Sequence, residues 1–416
     1  MNKTDSWSWE TFKPALNFTV LVASLGYFVD MYDLVLYGIV RIPSLSSMGV
    51  SGDELVSKGV FLLNMQMIGM LIGGIIWGVL GDKKGRLSVL FGSIALYSIA
   101  NLANAFVTTV PAYAVARFFA GVGLAGELGA AITLVSEVMK KESRGYGTTI
   151  VASVGILGAV TAGIVGDYFT WKWAYIFGGI LGMVLLGLRA KMLESGMFTS
   201  MSSENAVKRG DFLSLFTNRK RFLKYIRCIL IGLPTWFVVG ILIILSPEFA
   251  VKLCIKGSVS AGNSIMYAYS GIVAGGLLSG FASQVFRSRK QIVFIFLLMT
   301  AALIIVYLNS FNLPLKLFYA LCFALGISIG YWAVFVTIAS EQFGTNLRST
   351  VTTTVPNFVR GAVVLITLSF QTLKGSFGLI GAAYLVGFIT LALAVLSLFF
   401  MEETYHKDLD YLEENG

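Results

Sequence analysis

The chain has 416 residues, of which 56% are hydrophobic and only 13% are charged, and its mean hydropathy is +0.80. Soluble domains carry about 25% charged residues, so this composition excludes a soluble globular protein. The single histidine, His406, lies near the C-terminus, which excludes a histidine proton relay in the membrane, and three cysteines without a C-x-x-C pair argue against a zinc or disulfide framework.

Twelve apolar segments follow one another along the chain, most of them long enough to cross about 30 Å of hydrocarbon. We call them spans 1 to 12. They lie at about 17–39, 58–80, 87–108, 111–137, 146–168, 172–192, 222–247, 263–286, 290–309, 315–340, 349–373 and 378–401. Segments of this length and number predict an all-α protein embedded in the lipid bilayer.

The basic residues are distributed unevenly between the loops. With the N-terminus inside, most of the 31 Lys and Arg residues lie in inner loops, including a cluster from Arg189 to Arg227. This bias follows the positive-inside rule and explains the net charge of +9 without nucleic acid as a partner. We therefore expect both termini in the cytoplasm, and the short loops suit a multi-pass protein of a prokaryotic cytoplasmic (inner) membrane.

Span 1 carries two acids, Asp30 and Asp33. Acids within a span are costly and mark functional sites, and the i, i+3 spacing puts both on one helix face. The run from Gly26 to Gly38 resembles the pattern G-x-x-x-E-x-Y-D-F-x-x-Y-G of the metabolite:proton symporters. Asp30 replaces the usual Glu and Leu34 the usual Phe, and phosphate:proton symporters also carry a D-x-Y-D run. The resemblance implies proton coupling and leaves the substrate open.

The loop between spans 2 and 3 contains Gly81, Asp82, Gly85 and Arg86 within the run GVLGDKKGR at 78–86. This run resembles the G-x-x-x-D-x-x-G-R loop of the major facilitator superfamily. The resemblance implies twelve transmembrane helices in two pseudo-symmetric six-helix bundles, with a charged gate on the cytoplasmic side. The alternative is a plain tight turn with basic anchors.

Span 4 carries Arg117 six residues after its start and Glu127 farther along, in a glycine-rich run that resembles the symporter pattern R-x-x-x-G-x-x-x-G-G-E-x-G. At 1.5 Å per residue, Asp33 and Arg117 both lie about 9 Å below the outer edge and can pair, whereas Glu127 lies about 15 Å deeper. We predict that Asp33 carries the proton and Arg117 switches it. Asp30 would relay the proton or bind substrate, and Glu127 is the less favoured second proton site. The alternative is a permanent Asp33–Arg117 ion pair that only joins spans 1 and 4.

A motif at the end of span 4 recurs at the end of span 10, about 204 residues later. Ser136-Glu137 is followed by Arg144, and Ser340-Glu341 is followed by Arg348. Two like halves place a transport site on the axis between them. The four charged residues resemble the inner gate of sugar porters, and we expect them to form a cytoplasmic network with Asp82 and Arg86.

The repeat and one long polar loop divide the chain. We predict an N-terminal six-helix bundle at 1–192, a cytoplasmic linker at 193–221, a C-terminal six-helix bundle at 222–402 and a cytoplasmic tail at 403–416. A run at the start of the tail, from Glu402 to Leu409, resembles a degenerate P-E-T-x-G-x-x-L motif without its Pro and Gly.

Arg360 lies near the middle of span 11, close to Asn357. A buried guanidinium does not lose its proton and needs an anion. We predict that this anion belongs to the substrate; pairing with Glu127 or Asp30 is the alternative. Aromatic side chains of the second half are further candidate substrate contacts, with packing as their alternative role: Trp236, Tyr267, Tyr269, Tyr331 and Trp332.

The sequence thus predicts a proton-coupled symporter that imports a small polar metabolite, an organic anion or a zwitterion, by alternating access. A proton-driven exporter is the alternative within the same fold, although span 5 lacks a Gly-Pro pair of the antiporter type. A membrane enzyme or sensor lacks any catalytic, metal-binding or nucleotide-binding motif, and a channel is disfavoured by arginines within the spans. We expect no catalytic residues, metal or cofactor, and a monomer that binds substrate and protons.

Overall fold

The computed structural model describes residues 17–52, 54–84, 86–129, 131, 135, 141–194 and 212–405. Within these ranges, the side chains of residues 81–84, 86–87, 141–149, 152–153, 191–194, 284, 333, 345–346 and 348–349 are not described. Each of the twelve predicted spans is helical over most of its described residues, and the prediction of an all-α membrane fold is confirmed.

Spans 1 to 6 are formed by the helices Phe18–Ser47, Glu54–Lys84, Arg86–Phe106, Val110–Leu124, Lys141–Tyr168 and Trp171–Glu194. Short polar side chains begin two of them. Asn17 Oδ1 accepts a hydrogen bond from Val20 N at 2.8 Å, and Thr109 Oγ1 accepts one from Ala112 N at 3.4 Å. Each bond satisfies a backbone donor that the first helical turn leaves without an intrahelical partner. The helix of span 4 is interrupted at Ala125.

Spans 7 to 12 are formed by Arg219–Phe237 with the π-helical turn Val238–Ile243, Ala261–Val285, Arg289–Leu308, Leu315–Ile329 with Trp332–Glu341, Thr345–Gly361, and Val363–Phe399. The last helix contains the end of span 11 and nearly all of span 12. It is broken at Gly378, whose φ of 69° and ψ of 178° are not helical. Glycine adopts this φ without the clash that a Cβ would cause, so spans 11 and 12 follow each other without a loop.

Glycines allow equivalent helix pairs in the two halves to pack closely. Span 2 packs on span 4 in the first half, and span 8 packs on span 10 in the second. A Cβ on Gly121 would collide with the backbone oxygen of Gln66, and one on Gly326 would collide with that of Ala268. In a bilayer the hydrophobic effect does not drive helices together, and close backbone packing of this kind stabilises their association instead.

We expect Gly121→Ala to lower the thermal stability of the protein, because the methyl group can be placed only by moving the backbone of span 2. Overpacking of this kind costs about 1–3 kcal/mol. Gly187→Ala is the matched control, since no heavy atom lies within 4 Å of the position of its Cβ. Thermal unfolding of both purified variants in detergent checks this expectation, and equal unfolding temperatures would contradict it.

The two halves contact each other near both ends of the bundle. We call the end that holds Lys84, Arg289 and Glu341 the basic end, and the opposite one the far end. Between the middle and the basic end, Asn357 Nδ2 of span 11 donates to Ala125 O of span 4 at 2.9 Å. At the far end, Ser260 Oγ, before span 8, donates to Asp167 Oδ1 of span 5 at 2.8 Å. A second far-end contact joins Arg41 of span 1 to Glu248, which follows span 7.

Candidate functional site

Five of the charged residues predicted from the sequence are buried inside the bundle. Asp30, Asp33, Arg117, Glu127 and Arg360 are each exposed by 1% or less. Burying an isolated charge costs much free energy unless a partner or a hydrogen bond compensates. The partners of these five residues therefore indicate which charges support the fold and which remain for a ligand or a proton.

Asp33 and Arg117 lie in the same region, as their depths predict, but they are not bonded to each other. Arg117 lies within electrostatic range of Asp33, and Asn101 lies beside the carboxylate. No described residue forms a hydrogen bond with either oxygen of Asp33 or with any guanidinium nitrogen of Arg117. In this conformation the two residues do not form the permanent ion pair that the alternative interpretation requires.

Tyrosine rings hold the guanidinium of Arg117 instead. Its central carbon lies 5.1 Å from the centroid of Tyr37 and 5.8 Å from that of Tyr175. The hydroxyls of Tyr113 and Tyr175 are 2.5 Å apart, and Tyr37 Oη donates to Gly59 O at 2.9 Å. A buried cation over aromatic faces gains up to about 2 kcal/mol. This tyrosine cluster was not predicted from the sequence, although Tyr37 lies in the span 1 motif one turn beyond Asp33.

Glu127 has a partner that the sequence did not indicate. Arg189 Nη1 donates to Glu127 Oε2 at 3.1 Å and to Leu90 O at 3.0 Å, and Nη2 pairs with Oε1. Arg189 is buried at the end of span 6, whereas the sequence grouped it with the basic cluster of the inner loops. Gly26 of span 1 lies against the pair, since a Cβ there would collide with both side chains. Both carboxylate oxygens of Glu127 are therefore engaged by one guanidinium in a bidentate arrangement.

Arg360 lies between the halves and has no acidic partner. Its Nη1 donates to Asn357 Oδ1 at 3.5 Å, and its Nε has no partner among the described residues. No described acid lies within ion-pair distance of it. Asp30, whose oxygens accept no hydrogen bond from the described residues, is within its electrostatic range. Of the two pairings considered from the sequence, Glu127 belongs to Arg189, and Asp30 is near without direct contact.

Asn357 fixes the position of Arg360. Besides its bond to Ala125, its Nδ2 donates to Thr353 O at 3.0 Å within span 11. Gly74 has no side chain, which allows Asn357 to approach span 2. A Cβ on Gly74 would lie 2.9 Å from the Cβ of Asn357. Asn357 therefore ties span 11 to the first half and orients the guanidinium through its carbonyl oxygen.

The candidate aromatic contacts divide into two groups. Tyr269 is buried and lies within electrostatic range of Arg360, together with Tyr27 of span 1. Tyr267 is 40% exposed and stacks on Tyr319, with centroids 5.3 Å apart. Residues two apart on a helix face nearly opposite ways, so Tyr267 points away from Arg360 while Tyr269 points toward it.

The other three aromatics have packing partners of their own. Tyr331 Oη donates to Ile231 O at 2.9 Å, and Trp332 packs on Phe335 with centroids 5.0 Å apart. Trp236 is buried in the core of the second half. Nothing in these contacts requires a ligand, and the role of these residues in substrate binding stays a prediction.

The predicted cytoplasmic gate lies mostly beyond the described part of the chain. Gly85 and Glu137 are outside the described residues, as are the side chains of Asp82, Arg86, Arg144 and Arg348, while Gly81 lies in the helix of span 2. Glu341 is described. It accepts hydrogen bonds from Arg289 Nε at 2.8 Å and from Arg289 Nη2 at 3.0 Å. This bidentate pair joins spans 9 and 10, and the larger network stays a prediction.

Glu403, two residues after the end of span 12 and within the degenerate tail motif, caps the start of span 9. Glu403 accepts hydrogen bonds from Arg289 N at 3.0 Å and Lys290 N at 3.2 Å. Burial raises the pKa of the Glu403 carboxyl. Hydrogen bonds from Ser288 Oγ and from the backbone of Tyr405, Arg289 and Lys290 outweigh that effect, and the pKa lies below the ordinary value of 4.5.

We expect Glu403→Gln to flatten the loss of thermal stability on acidification. The ionised carboxylate stabilises the fold fully above the ordinary pKa of 4.5. This contribution is lost as the pH falls through the lowered pKa of the folded protein. Thermal unfolding between about pH 7 and pH 3 measures it, with the exposed Glu54→Gln as control. If the unfolding temperature of Glu403→Gln falls with decreasing pH as steeply as that of the parent, the capping role is contradicted.

Comparisons with known proteins agree with this fold. Residues 23–367 match the sequence profile described as the Major Facilitator Superfamily. A Bacillus subtilis protein named as a niacin/nicotinamide transporter is 25% identical over 405 residues, which are 94% of this chain and 96% of that protein. The benzoate transport protein of Acinetobacter baylyi is 31% identical over 185 residues, 42% of this chain and 39% of that protein. The inward-open xylose transporter of E. coli superimposes with a TM-score of 0.70 at 17% identity, covering 94% of this chain and 97% of that structure.

Proposed function

This chain belongs to the major facilitator superfamily, a transporter family and not an enzyme family, and from that premise we propose that it imports a small organic anion together with protons by alternating access. The observation that carries the proposal is Arg360. It is 1% exposed, lies between the halves and has no described acid at ion-pair distance. Because a guanidinium keeps its charge, its burial requires an anion, which the substrate supplies.

The proposed substrate is an aromatic carboxylate. One relative is named for niacin and its amide nicotinamide, and another for benzoate; niacin and benzoate are both carboxylates on a small aromatic ring. The fork of Arg360, steadied by Asn357, would take the two carboxylate oxygens in a bidentate pair. Tyr27 and Tyr269 lie within electrostatic range of the same guanidinium and would flank the ring.

The proposed proton carrier is Asp33, switched by Arg117. A guanidinium within about 4–6 Å favours the ionised carboxylate, so approach of Arg117 releases the proton and its withdrawal lets Asp33 bind one. The rings of Tyr37 and Tyr175 give Arg117 a second resting place, which such a switch needs. Asp30, on the same face of span 1, is within electrostatic range of both Asp33 and Arg360 and would link proton and substrate.

We propose that the protein lies in the inner membrane and that its basic end faces the cytoplasm. The positive-inside bias supports this assignment, and it puts both termini on the same side. One chain contains both halves of the site, so a monomer is sufficient for transport.

Uptake into proteoliposomes tests the proposal. Labelled benzoate and nicotinate are offered with and without an inward proton gradient, and benzamide serves as the neutral control. Protein-free vesicles correct for passive permeation of the protonated acids. We expect gradient-driven accumulation of at least one acid and none of benzamide. Equal uptake of benzoate and benzamide would overturn the proposal that the substrate is an anion. Uptake that does not depend on the proton gradient would overturn the proposed proton coupling.

A further inference from the structure

An ion pair between the halves closes the far end of the bundle. Arg41 Nη2 of span 1 lies 2.5 Å from Glu248 Oε1, in the short helix Ser246–Lys252 after span 7. The same nitrogen donates to Ile244 O at 3.5 Å, and Nη1 donates to Leu55 O of span 2 at 3.5 Å. The Arg41 side chain is 1% exposed. Three helices from both halves therefore enclose one guanidinium.

This ion pair is incomplete. Arg41 Nε and Glu248 Oε2 are both buried, and neither has a hydrogen-bond partner among the described residues. A bidentate carboxylate would satisfy two guanidinium nitrogens at once, whereas Glu248 uses one oxygen and leaves the other without a donor. Unsatisfied buried polar atoms weaken a contact, so another carboxylate that offers both oxygens competes well for Arg41.

Glycines shape the seam in which Arg41 lies. A Cβ on Gly59 would be 2.7 Å from Arg41 Cδ, so the side chain lies flat on the backbone of span 2. A Cβ on Gly38 would be 3.1 Å from Ile244 Cγ1, so spans 1 and 7 touch just below the ion pair. The contact forms only when the halves are together at the far end.

Alternating access requires that this seam opens. The Asp167–Ser260 bond crosses the same end between spans 5 and 8, so polar contacts close both sides of it. When the halves part there, Arg41 loses Glu248 and faces the opening. It lies eight residues beyond Asp33, about 12 Å along span 1 toward the far end.

We propose that Arg41 is an outer binding site for the carboxylate of the transported anion and that Glu248 occupies it while the far end is closed. The incoming carboxylate displaces Glu248, which releases the seam and lets the anion continue toward Arg360. The return of Glu248 closes the seam behind the anion. This inference rests on the proposed import of an anion and adds to it a site and a latch.

The latch is tested without any substrate. A cysteine placed at Ile244 in a Cys254→Ser background is labelled from outside by a membrane-impermeant maleimide, since Cys228 and Cys322 are buried. We expect Glu248→Gln to accelerate labelling about tenfold, because the amide can still accept a hydrogen bond from Arg41 but carries no charge to pair with the guanidinium. Glu54→Gln is the matched control, because Glu54 pairs with Lys58 within one helix at the same end, 2.6 Å away. Unchanged labelling in Glu248→Gln would overturn the proposal.

The anion site is tested by two variants that break the same pair. Glu248→Gln removes the competitor and should lower the half-saturating concentration of external benzoate or nicotinate about tenfold. Arg41→Gln opens the same seam and should label as fast, but it should raise that concentration because the binding group is gone. A latch without an anion site would shift both variants in one direction, and that result overturns the proposal.

The proposed function and the anion site at Arg41 can be disproved by different results. A parent protein that takes up neither benzoate nor nicotinate overturns the proposed function and the anion site with it. The labelling experiment uses no substrate, so a tenfold acceleration in Glu248→Gln would still show that the pair holds the halves together. A parent that transports either acid while Arg41→Gln keeps the half-saturating concentration of the parent overturns the anion site alone.

Discussion

Replacing Arg360 by lysine is expected to raise the half-saturating concentration for benzoate or nicotinate by about 10- to 100-fold. The guanidinium offers two parallel donors to a carboxylate, whereas an ammonium is a point charge on a flexible stem. Losing one hydrogen bond to a charged group costs about 1.5–3 kcal/mol, which is the stated range of affinity. Asn357, which accepts from Arg360 Nη1, would lose its partner as well. Uptake at several substrate concentrations measures the effect.

The matched control makes the same change at the edge of the bundle. Arg227→Lys replaces a guanidinium that donates to Phe400 O at 2.9 Å, near the basic end, and should leave the half-saturating concentration unchanged. Arg360→Gln extends the test, because it should bring the uptake of benzoate close to that of benzamide. Parent-like affinity in Arg360→Lys would remove Arg360 from the substrate site.

Replacing Asp33 by asparagine is expected to abolish accumulation driven by a proton gradient while preserving exchange of substrate across the membrane. Each pH unit supplies about 1.36 kcal/mol per proton, so a one-proton symporter accumulates about 100-fold across two units. The variant should reach a ratio near 1, because its amide carries no proton. Counterflow needs no net proton movement and should continue. Proteoliposomes loaded with unlabelled substrate measure both activities.

Glu54→Gln is again the control, because it removes an exposed acid without touching the interior. If Asp33→Asn still accumulates substrate above the level of protein-free vesicles, another group carries the proton. Glu127 would be a poor choice because Arg189 holds its carboxylate. Asp30, whose two oxygens accept no bond from a described residue, would be the next candidate.

The length of apolar runs and the free-energy cost of placing charges in lipid explain which features could be predicted from the sequence. A run of about 20 apolar residues is visible without any partner, so the spans and the fold class were predictable. Charges such as Asp30, Asp33 and Arg360 were recognisable because lipid makes each of them expensive. The choice between Tyr267 and Tyr269 needed the rotation of span 8 about its axis, which depends on how its neighbours pack.

Two arginines were assigned to the wrong surroundings for related reasons. Arg189 follows an apolar run and precedes a polar linker, so the sequence groups it with the basic cluster of the inner loops, and only folding brings Glu127 to it from span 4. Arg41 follows the apolar part of span 1, which ends near residue 39, so the sequence places it in an outer loop. The helix continues to Ser47 with Pro43 inside it, and Glu248 lies 207 residues away in the chain. Pairings over such distances leave no local pattern.

Spans 11 and 12 form a hairpin that is pinned at both ends. Gly378 joins them without a loop, and Gln342 Nε2, just before span 11, donates to Glu402 O, just after span 12, at 2.9 Å. These two connections oppose sliding of one helix past the other, so we expect the two helices to tilt together as one lever. The lever carries Arg360 near its middle and ends outside the membrane. A fluorophore attached after Glu403 would therefore report movement of the substrate-binding arginine from a position where it disturbs neither lipid nor ligand.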